Sequence, residues 1–329
     1  PYLIADQDHT IHAFNSTLQG NLLVIVYSRW TEDAGWTTPV DILLSPIKRE
    51  ARLQGVVLDE AGWVHLIFFG GDDLGASIFY SRAPLRDASN AQAWTKPALI
   101  GDEAIAPTGA ALATDGQGNL YMLYHGERDG VGLFANYSTD RGQTWQEPVT
   151  VFKVEDDEHW PTALQLYLDE GSEARPRMLH AVWTLVGRSG NGEEVYYSHL
   201  DPATQTWTDP QILAEKNAGD YEADWPSLTS YNGRLILVYQ DSFPATRWMR
   251  TSEDGGLSWS QPVLPFNYVG EYRQAAFVKD SAGNLHMFLG NRTEDAVHGM
   301  WHSLWTGNGW SELTPVIAGP RVTEGPLEQ

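Results

Sequence analysis

The sequence predicts an all-β protein folded as a six-bladed β-propeller of four-stranded antiparallel blades. A Trp followed three residues later by Pro recurs at intervals of about 50 to 60 residues. Between these positions lie short apolar or alternating runs separated by Gly, Asp and Asn, a pattern typical of strands joined by tight turns. No segment keeps an apolar period of 3.6 residues, so we expect little helix.

Each repeat is predicted to contain four strands, called A to D in chain order. An apolar strand ending in Ser precedes each Trp, and a turn such as residues 59–62 lies further upstream. The Trp and Pro pairs are Trp36/Pro39, Trp94/Pro97, Trp145/Pro148, Trp207/Pro210, Trp259/Pro262 and, more loosely, Trp310/Pro315.

We expect one domain that spans the whole chain. The predicted blades are roughly residues 1–46, 47–103, 104–155, 156–217, 218–267 and 268–329. The first blade begins at its own strand A, so the sequence leaves open how the ring closes. Either residues 316–329 close it, or closure depends on packing between blade faces alone.

The composition excludes several classes of function. The chain has 329 residues, no Cys and a formal net charge of −22, so we expect no disulfide, thiol catalysis or Cys-ligated zinc. Its negative field disfavours nucleic acid and anionic membranes as partners, and its longest apolar run, residues 22–27, is too short to insert in a membrane. The acidic run 155–158 lacks the spaced carboxylates of a calcium loop, so no metal or other cofactor is expected.

Two of the turns between strands C and D follow a stricter pattern. Residues 138–145 are Ser-Thr-Asp-Arg-Gly-Gln-Thr-Trp, and residues 252–259 are Ser-Glu-Asp-Gly-Gly-Leu-Ser-Trp. The Asp can accept backbone N–H groups across the turn, Gly can adopt a positive φ and Trp can pack between sheets. These turns resemble the Asp-box of bacterial-neuraminidase (BNR) repeats, and the whole chain resembles the sialidase (neuraminidase) superfamily in fold. The resemblance implies a secreted or cell-surface protein and a structural role for the box.

Four histidines occupy the same place in strand B of their repeats: His12, His65, His180 and His286. A residue that recurs in repeat after repeat is predicted to fill a structural position rather than a catalytic one.

The functional face is predicted to lie opposite the Asp-boxes. Antiparallel alternation places the A–B and C–D turns on one face, so the B–C and D–A loops form the other. Aromatic rings mixed with arginines and carboxylates on those loops suit a sugar, which has polar edges and apolar ring faces. The candidate binding residues are Arg52, His125, Arg128, Trp160, Trp225, Gln240, Arg273 and Arg292.

The sialidase resemblance implies a catalytic Tyr polarised by Glu, an Asp acid/base and three Arg that grip the substrate. Tyr272 and Glu222 match the first pair, but Gln240 stands where the family has an Arg. The first B–C loop has no Asp, and the family's Arg-Ile-Pro-like motif is absent from the first strand. A sialidase mechanism is therefore not supported. Tyr272 or a carboxylate pair drawn from Asp72, Glu127, Glu222, Asp224 and Asp241 could serve a glycosidase of altered specificity.

Three functions stay open on the sequence. The first is a glycan-directed enzyme, such as an exo-acting glycoside hydrolase. The second is a glycan-binding adhesin or lectin without catalysis, in which Trp160, Trp225 and Tyr272 stack on sugars. The third is a protein-interaction scaffold. In each case we expect a monomer or part of a larger surface protein.

Overall fold

In the computed structural model, the chain divides into two compact units, Pro1–Leu168 and Asp169–Gln329. The structure describes all residues except 73–74, 105–108, 129, 172–174, 202–203, 217–222, 242–245, 267–273, 293–296 and 321–329. Within the described residues the secondary structure is almost entirely strand, and the helical elements are the 3-10 turns Leu85–Asp87 and Ala91–Ala93. The all-β prediction is therefore confirmed. No described helix has the length and apolar character needed to cross a bilayer.

The first unit contains three successive antiparallel strand sets. The order β1-β2-β3-β5 is followed by β6-β7-β8-β9, and then by β10-β11-β12-β13. One parallel pair, Leu23 with Glu50, joins β3 to β6, so the first two sets continue as one sheet rather than as two separate blades. The strands are β1 (Tyr2–Ala5), β2 (Ile11–Gln19), β3 (Leu22–Thr31), β4 (Gly35–Trp36), β5 (Val40–Leu43), β6 (Glu50–Leu58), β7 (Trp63–Asp72), β8 (Gly75–Pro84), β9 (Ala98–Ala104), β10 (Ala110–Thr114), β11 (Leu120–Glu127), β12 (Val131–Ser138), β13 (Val149–Lys153) and β14 (Trp160–Leu168).

The second unit contains further antiparallel sets in the same chain order. Strands β15, β16 and β17 pair in sequence, β18-β19-β20 form a three-stranded sheet, and β21-β22-β23-β24 form a four-stranded sheet. Where the sequence predicts a fourth strand after β20, the described residues give only an isolated bridge between Met249 and Val263. The strands are β15 (Leu179–Val186), β16 (Gly192–Leu200), β17 (Gln211–Glu215), β18 (Ala223–Tyr231), β19 (Arg234–Asp241), β20 (Thr246–Ser252), β21 (Ala276–Lys279), β22 (Leu285–Arg292), β23 (Val297–Leu304) and β24 (Thr314–Pro320).

Apolar cores form where successive sheets pack face to face. In the first unit, Ile67 and Ile78 of one sheet pack in the same buried cluster as Leu120 and Met122 of the next. In the second unit, Val238 of β19 belongs to a cluster with residues of β22 and β23. Some strands, such as β2, alternate between buried and more exposed side chains, whereas others, such as β15, are buried along their whole length, so short apolar runs suffice to build the fold.

The recurring histidines form a repeated contact. The Nδ1 atoms of His12, His65 and His180 lie 2.7, 2.7 and 2.8 Å from the hydroxyls of Tyr27, Tyr80 and Tyr197 respectively. In the fourth copy, His286 Nδ1 lies 2.8 Å from His302 Nε2. The same contact in three repeats, with a His–His contact at the equivalent place in the fourth, supports the structural role predicted for these positions.

Candidate functional site

A group of polar residues gathers at one end of the strands of the second unit. The β18–β20 register places Asp224 opposite Gln240 and Gln240 opposite Arg247, in one row across the sheet. Asp224 also reaches Thr184 near the end of β15. We call this group the strand-end cluster, and its members are Thr184, Gly192, Asp224, Trp225, Gln240 and Arg247.

The Asp224 carboxyl is the most unusual group in the cluster. Its residue is 5% exposed, and Oδ1 accepts hydrogen bonds from the Thr184 hydroxyl at 2.7 Å and from the Trp225 N–H at 2.6 Å. Burial raises the pKa of Asp224, and this outweighs the hydrogen bonds from Thr184, Trp225 and Gly192 that lower it. The carboxyl therefore holds a proton more readily than an exposed aspartic acid does.

Gly192 allows the two strand sets to approach each other closely at this point. A Cβ on Gly192 would lie 2.6 Å from the Ala223 carbonyl oxygen and 2.6 Å from the Asp224 Cβ. Both distances are far below van der Waals contact, and one neighbour is backbone. Only glycine therefore lets the first residue of β16 donate its N–H to the Asp224 carboxyl.

The backbone at Trp225 is strained. Its φ is +53°, a left-handed conformation that costs a bulky residue roughly 1–2 kcal/mol. The register of β18 against β19 shifts between Asp224 and Ser227, so the strained residue lies in a β-bulge. Bulges re-aim side chains and are common beside functional sites. The residue that carries this strain is partly exposed and directly follows the buried Asp224.

The other two members of the row add a cation and an amide. Gln240 is 0% exposed and Arg247 is 2% exposed. Burial lowers the pKa of Arg247 to about 10, so its guanidinium keeps its charge at neutral pH. In the neighbouring row, the Ser227 hydroxyl is buried without a hydrogen-bond partner in the part of the chain that the structure describes. The cluster thus combines a protonatable carboxyl, a guanidinium, an amide and an indole.

Three of the residues predicted from the sequence come together here: Asp224, Trp225 and Gln240. The sequence assigned Asp224 and Trp225 to a loop, whereas the structure places both in β18. Tyr272, Glu222 and Arg273 lie outside the described residues. Asp241 and Arg292 end β19 and β22, and their side chains are also outside the described part. The catalytic pairing of Tyr272 with Glu222 stays a prediction.

The remaining candidates belong to the first unit. Arg52 is partly exposed and its Nε donates to Glu50 at 2.6 Å, while exposed Arg128 donates to Glu147 at 2.8 Å. Trp160 begins β14 and is partly exposed. His125 is 2% exposed, and burial lowers its pKa to about 4. Their roles in ligand binding stay predictions.

The sequence did not identify Thr184 and Arg247 as site residues, because candidates were sought in the predicted loops and both residues lie within strands. One sequence signal was available for Arg247: it directly precedes the apolar pair Trp248 and Met249 within the strand Thr246–Ser252. Across the described ranges, no three His, Asp or Glu side chains lie close enough to hold a metal ion.

Comparison with known proteins gives a likeness of fold. No protein-family model and no curated protein sequence matches the chain. A family PL25 polysaccharide lyase, an ulvan lyase bound to a GlcA(1-4)Rha3S ligand, superposes with a TM-score of 0.66 at 13% identity, over 97% of this chain and 83% of that one. A protein of unknown function from Dyadobacter fermentans DSM 18053 gives 0.60 at 12% identity, over 92% of each chain. The fucose-recognising lectin of Aleuria aurantia, a six-bladed β-propeller, gives 0.50 at 13% identity, over 95% of this chain and 94% of the lectin.

These similarities establish the kind of fold and leave the family open. The all-β fold of this chain is similar to that of β-propellers, and the solved structures it resembles include proteins that act on or bind carbohydrate. Membership of the sialidase superfamily stays a prediction from the two Asp-box-like turns.

Proposed function

We propose that the protein is a glycan-binding β-propeller whose six repeats are its six blades, with one saccharide site at the strand-end cluster. The buried Asp224 carboxyl is the observation that carries the proposal. Burial of an acidic side chain and a left-handed backbone at the tryptophan that follows it each cost free energy. Such costs are typical of sites that bind a ligand.

The chemistry of the cluster suits a saccharide. A carboxylate and a guanidinium can share the hydroxyl groups of one sugar ring, since the first accepts hydrogen bonds and the second donates them. An indole offers an apolar surface to the C–H face of the ring. Asp224, Arg247 and Trp225 supply these three groups within the second unit. Similarity of fold to carbohydrate-binding and carbohydrate-cleaving proteins adds support.

A glycan-cleaving activity is the second candidate, and it is favoured by the raised pKa of Asp224. A carboxyl whose pKa is raised towards neutral pH can donate a proton to a leaving group or remove one from a sugar carbon. We assign Asp224 the acid/base role in that case. Tyr272 and Glu222 remain the candidates for the nucleophile and its partner, as the resemblance to sialidases implies. A secreted or cell-surface location fits either activity.

A glycan array followed by calorimetry tests the binding function. Binding of the best glycan should weaken at least tenfold in Asp224→Asn, which keeps the size of the side chain but removes its charge. The control is Asp209→Asn, an exposed aspartate of the same unit, which should bind as the parent protein does. If no glycan on the array binds, or if both variants bind like the parent, the proposal is wrong.

A panel of fluorogenic glycosides and unsaturated-product assays tests the catalytic candidate. Turnover of one substrate that is lost in both Asp224→Asn and Tyr272→Phe would establish an enzyme with the proposed residues. Turnover that survives in Asp224→Asn would exclude the acid/base role. Binding on the array without turnover in any assay would leave the lectin function and exclude the enzyme.

A further inference from the structure

A pocket of the second unit lies between β17 and the face of the β18–β20 sheet. It is a groove of about 510 Å³, within the range of roughly 300–1,000 Å³ that is usual for small-molecule sites. Its walls include Ile212 and Glu215 of β17, Tyr239 of β19, Trp248 and Arg250 of β20, and Pro262. We call it the β17–β20 groove.

The groove is distinct from the strand-end cluster, although the two are neighbours in sequence. Tyr239 lies directly opposite Trp248 in the register, one position along from the pair of Gln240 with Arg247. Successive side chains of a strand point to opposite faces of the sheet. The groove therefore uses the face of β19 and β20 that Gln240 and Arg247 do not use. Arg250, two residues after Trp248, shares the face of Trp248.

Two residues that line the groove each carry a polar atom with no hydrogen-bond partner among the described residues. The indole Nε1 of Trp248 and the Nε of Arg250 are buried and make no hydrogen bond in the described part of the chain. Leaving a buried donor unsatisfied costs about 1–3 kcal/mol. The guanidinium of Arg250 is nevertheless held in place, since its Nη1 donates to the Ser260 carbonyl at 2.9 Å. Arg250 is partly exposed, and a cation held in one position is well suited to an external acceptor.

The opposite wall supplies the complementary features. Glu215 is exposed and offers carboxylate oxygens, and Ile212, 43% exposed, offers apolar surface. We propose that the β17–β20 groove binds one neutral monosaccharide unit, with Glu215 and Arg250 on adjacent hydroxyls and the ring's C–H face on Trp248. The carboxylate and the net charge of −22 disfavour an anionic ligand. The groove would thus be a second saccharide site, and it does not depend on the strand-end cluster.

Saturation-transfer NMR and calorimetry with methyl glycosides of neutral hexoses and 6-deoxyhexoses test the groove. We expect saturable binding of at least one glycoside, with a Kd in the millimolar range, about −4 kcal/mol, as suits a single sugar in an open groove. Arg250→Gln and Glu215→Gln should each weaken it tenfold or more. Asp224→Asn, which alters only the strand-end cluster, and Arg86→Gln, an exposed arginine of the first unit, should leave it unchanged.

The two sites can be separated by the same set of variants. No saturable binding by any glycoside would overturn the groove proposal, whatever the glycan array gives for the strand-end cluster. Binding that is lost in Asp224→Asn but kept in Arg250→Gln would also overturn it, because the ligand would then occupy the cluster. Since the Glu215 side chain is exposed, Glu215→Gln should melt at the parent temperature, and its result stands even if Arg250→Gln fails to fold.

Discussion

The hydroxyl of Tyr197 occupies the space that a Cβ on Gly256 would need, and it donates a hydrogen bond to the Gly255 carbonyl at 3.2 Å. The same hydroxyl lies 2.8 Å from the Nδ1 of His180. The glycine lies in one of the two strict turns between strands C and D. A tyrosine of β16 thus fixes the turn that follows β20.

The same arrangement occurs in the first unit. Tyr80 donates to the Arg141 carbonyl at 3.1 Å, and a Cβ on Gly142 would overlap its ring and hydroxyl. The turn Trp that follows, Trp145, packs edge-on against Tyr80 at 5.2 Å between ring centroids. The Gly of this turn is therefore required both for its positive φ of +75° and for the space that the tyrosine occupies.

Gly256→Ala should be strongly destabilising. Its φ is +95°, so alanine is strained there by roughly 1–2 kcal/mol, and overlap with Tyr197 adds about 1–3 kcal/mol. Gly283→Ala is the matched control, because φ is +82° and nothing lies within 4 Å of the Cβ position. Urea unfolding should show a loss of stability at Gly256 that exceeds the loss at Gly283.

A double variant tests the cause. If the overlap with Tyr197 is responsible, Tyr197→Phe should recover part of the loss caused by Gly256→Ala, since removal of the hydroxyl frees space. The two substitutions would then couple in a double-mutant cycle. Equal losses of stability in Gly256→Ala and Gly283→Ala would mean that backbone strain alone explains both. The overlap with Tyr197 would then contribute nothing to the loss.

Asp140→Ala should destabilise the protein in a pH-dependent way. Hydrogen bonds from the hydroxyl and the N–H of Thr144 lower the pKa of Asp140 to about 2, against about 3.9 when unfolded. The stability that ionised Asp140 contributes is present above pH 4 and is lost as the pH falls towards 2. Thermal melts of parent and variant should differ by a constant amount from pH 5 to 8 and converge between pH 4 and 2. Exposed Asp33→Ala is the control, and a difference that persists at pH 2 would contradict the prediction.

Much of the fold was predictable from the recurring Trp and Pro pair. The four strands β10–β13 all fall inside the third predicted repeat, residues 104–155, because each has an apolar run bounded by turn residues. The absence of a regular fourth strand after β20 was harder to predict from the sequence. Pro262 and Pro265 enclose Val263 and Leu264 there, and since proline has no N–H, pairing is limited to the single bridge between Val263 and Met249. A lone parallel pair such as Leu23 with Glu50 has no sequence pattern at all.

The site was predictable only in part. Loop positions singled out Asp224 and Gln240, but nothing in the sequence indicated that Asp224 would be buried against Thr184, forty residues earlier in the chain. That contact depends on the approach that Gly192 permits. The strain at Trp225 was also hidden, because a positive φ is expected at glycine and asparagine rather than at tryptophan.

His125→Leu should reduce the loss of stability in mild acid. Burial lowers the pKa of His125 to about 4, below the unfolded value of about 6.5, so the folded protein resists its protonation. The stability that neutral His125 contributes is present above pH 6.5 and is lost as the pH falls to about 4. Urea unfolding at pH 7.5 and 4.5 should show a smaller difference in the variant than in the parent. The control is exposed His9→Asn, and an unchanged difference in His125→Leu would contradict the prediction.

Substitutions at Trp225 should separate strain from ligand binding. Trp225→Gly and Trp225→Ala both remove the indole, so both should lose the glycan affinity that the ring supplies. They differ in the backbone, since glycine adopts the φ of +53° freely and alanine does not. The glycine variant should therefore be the more stable of the two by about 1 kcal/mol.

Trp160 provides the matched comparison for this prediction. It also begins a strand, β14, but it is not among the residues with positive φ. At an ordinary strand position alanine is favoured over glycine by roughly 0.5–1 kcal/mol, because glycine loses more conformational freedom on folding. Urea unfolding should therefore show that Trp160→Ala is more stable than Trp160→Gly. This order is the reverse of the one expected at Trp225. The same order at both positions would show that Trp225 holds no backbone strain, and the argument that its strained conformation serves ligand binding would fail.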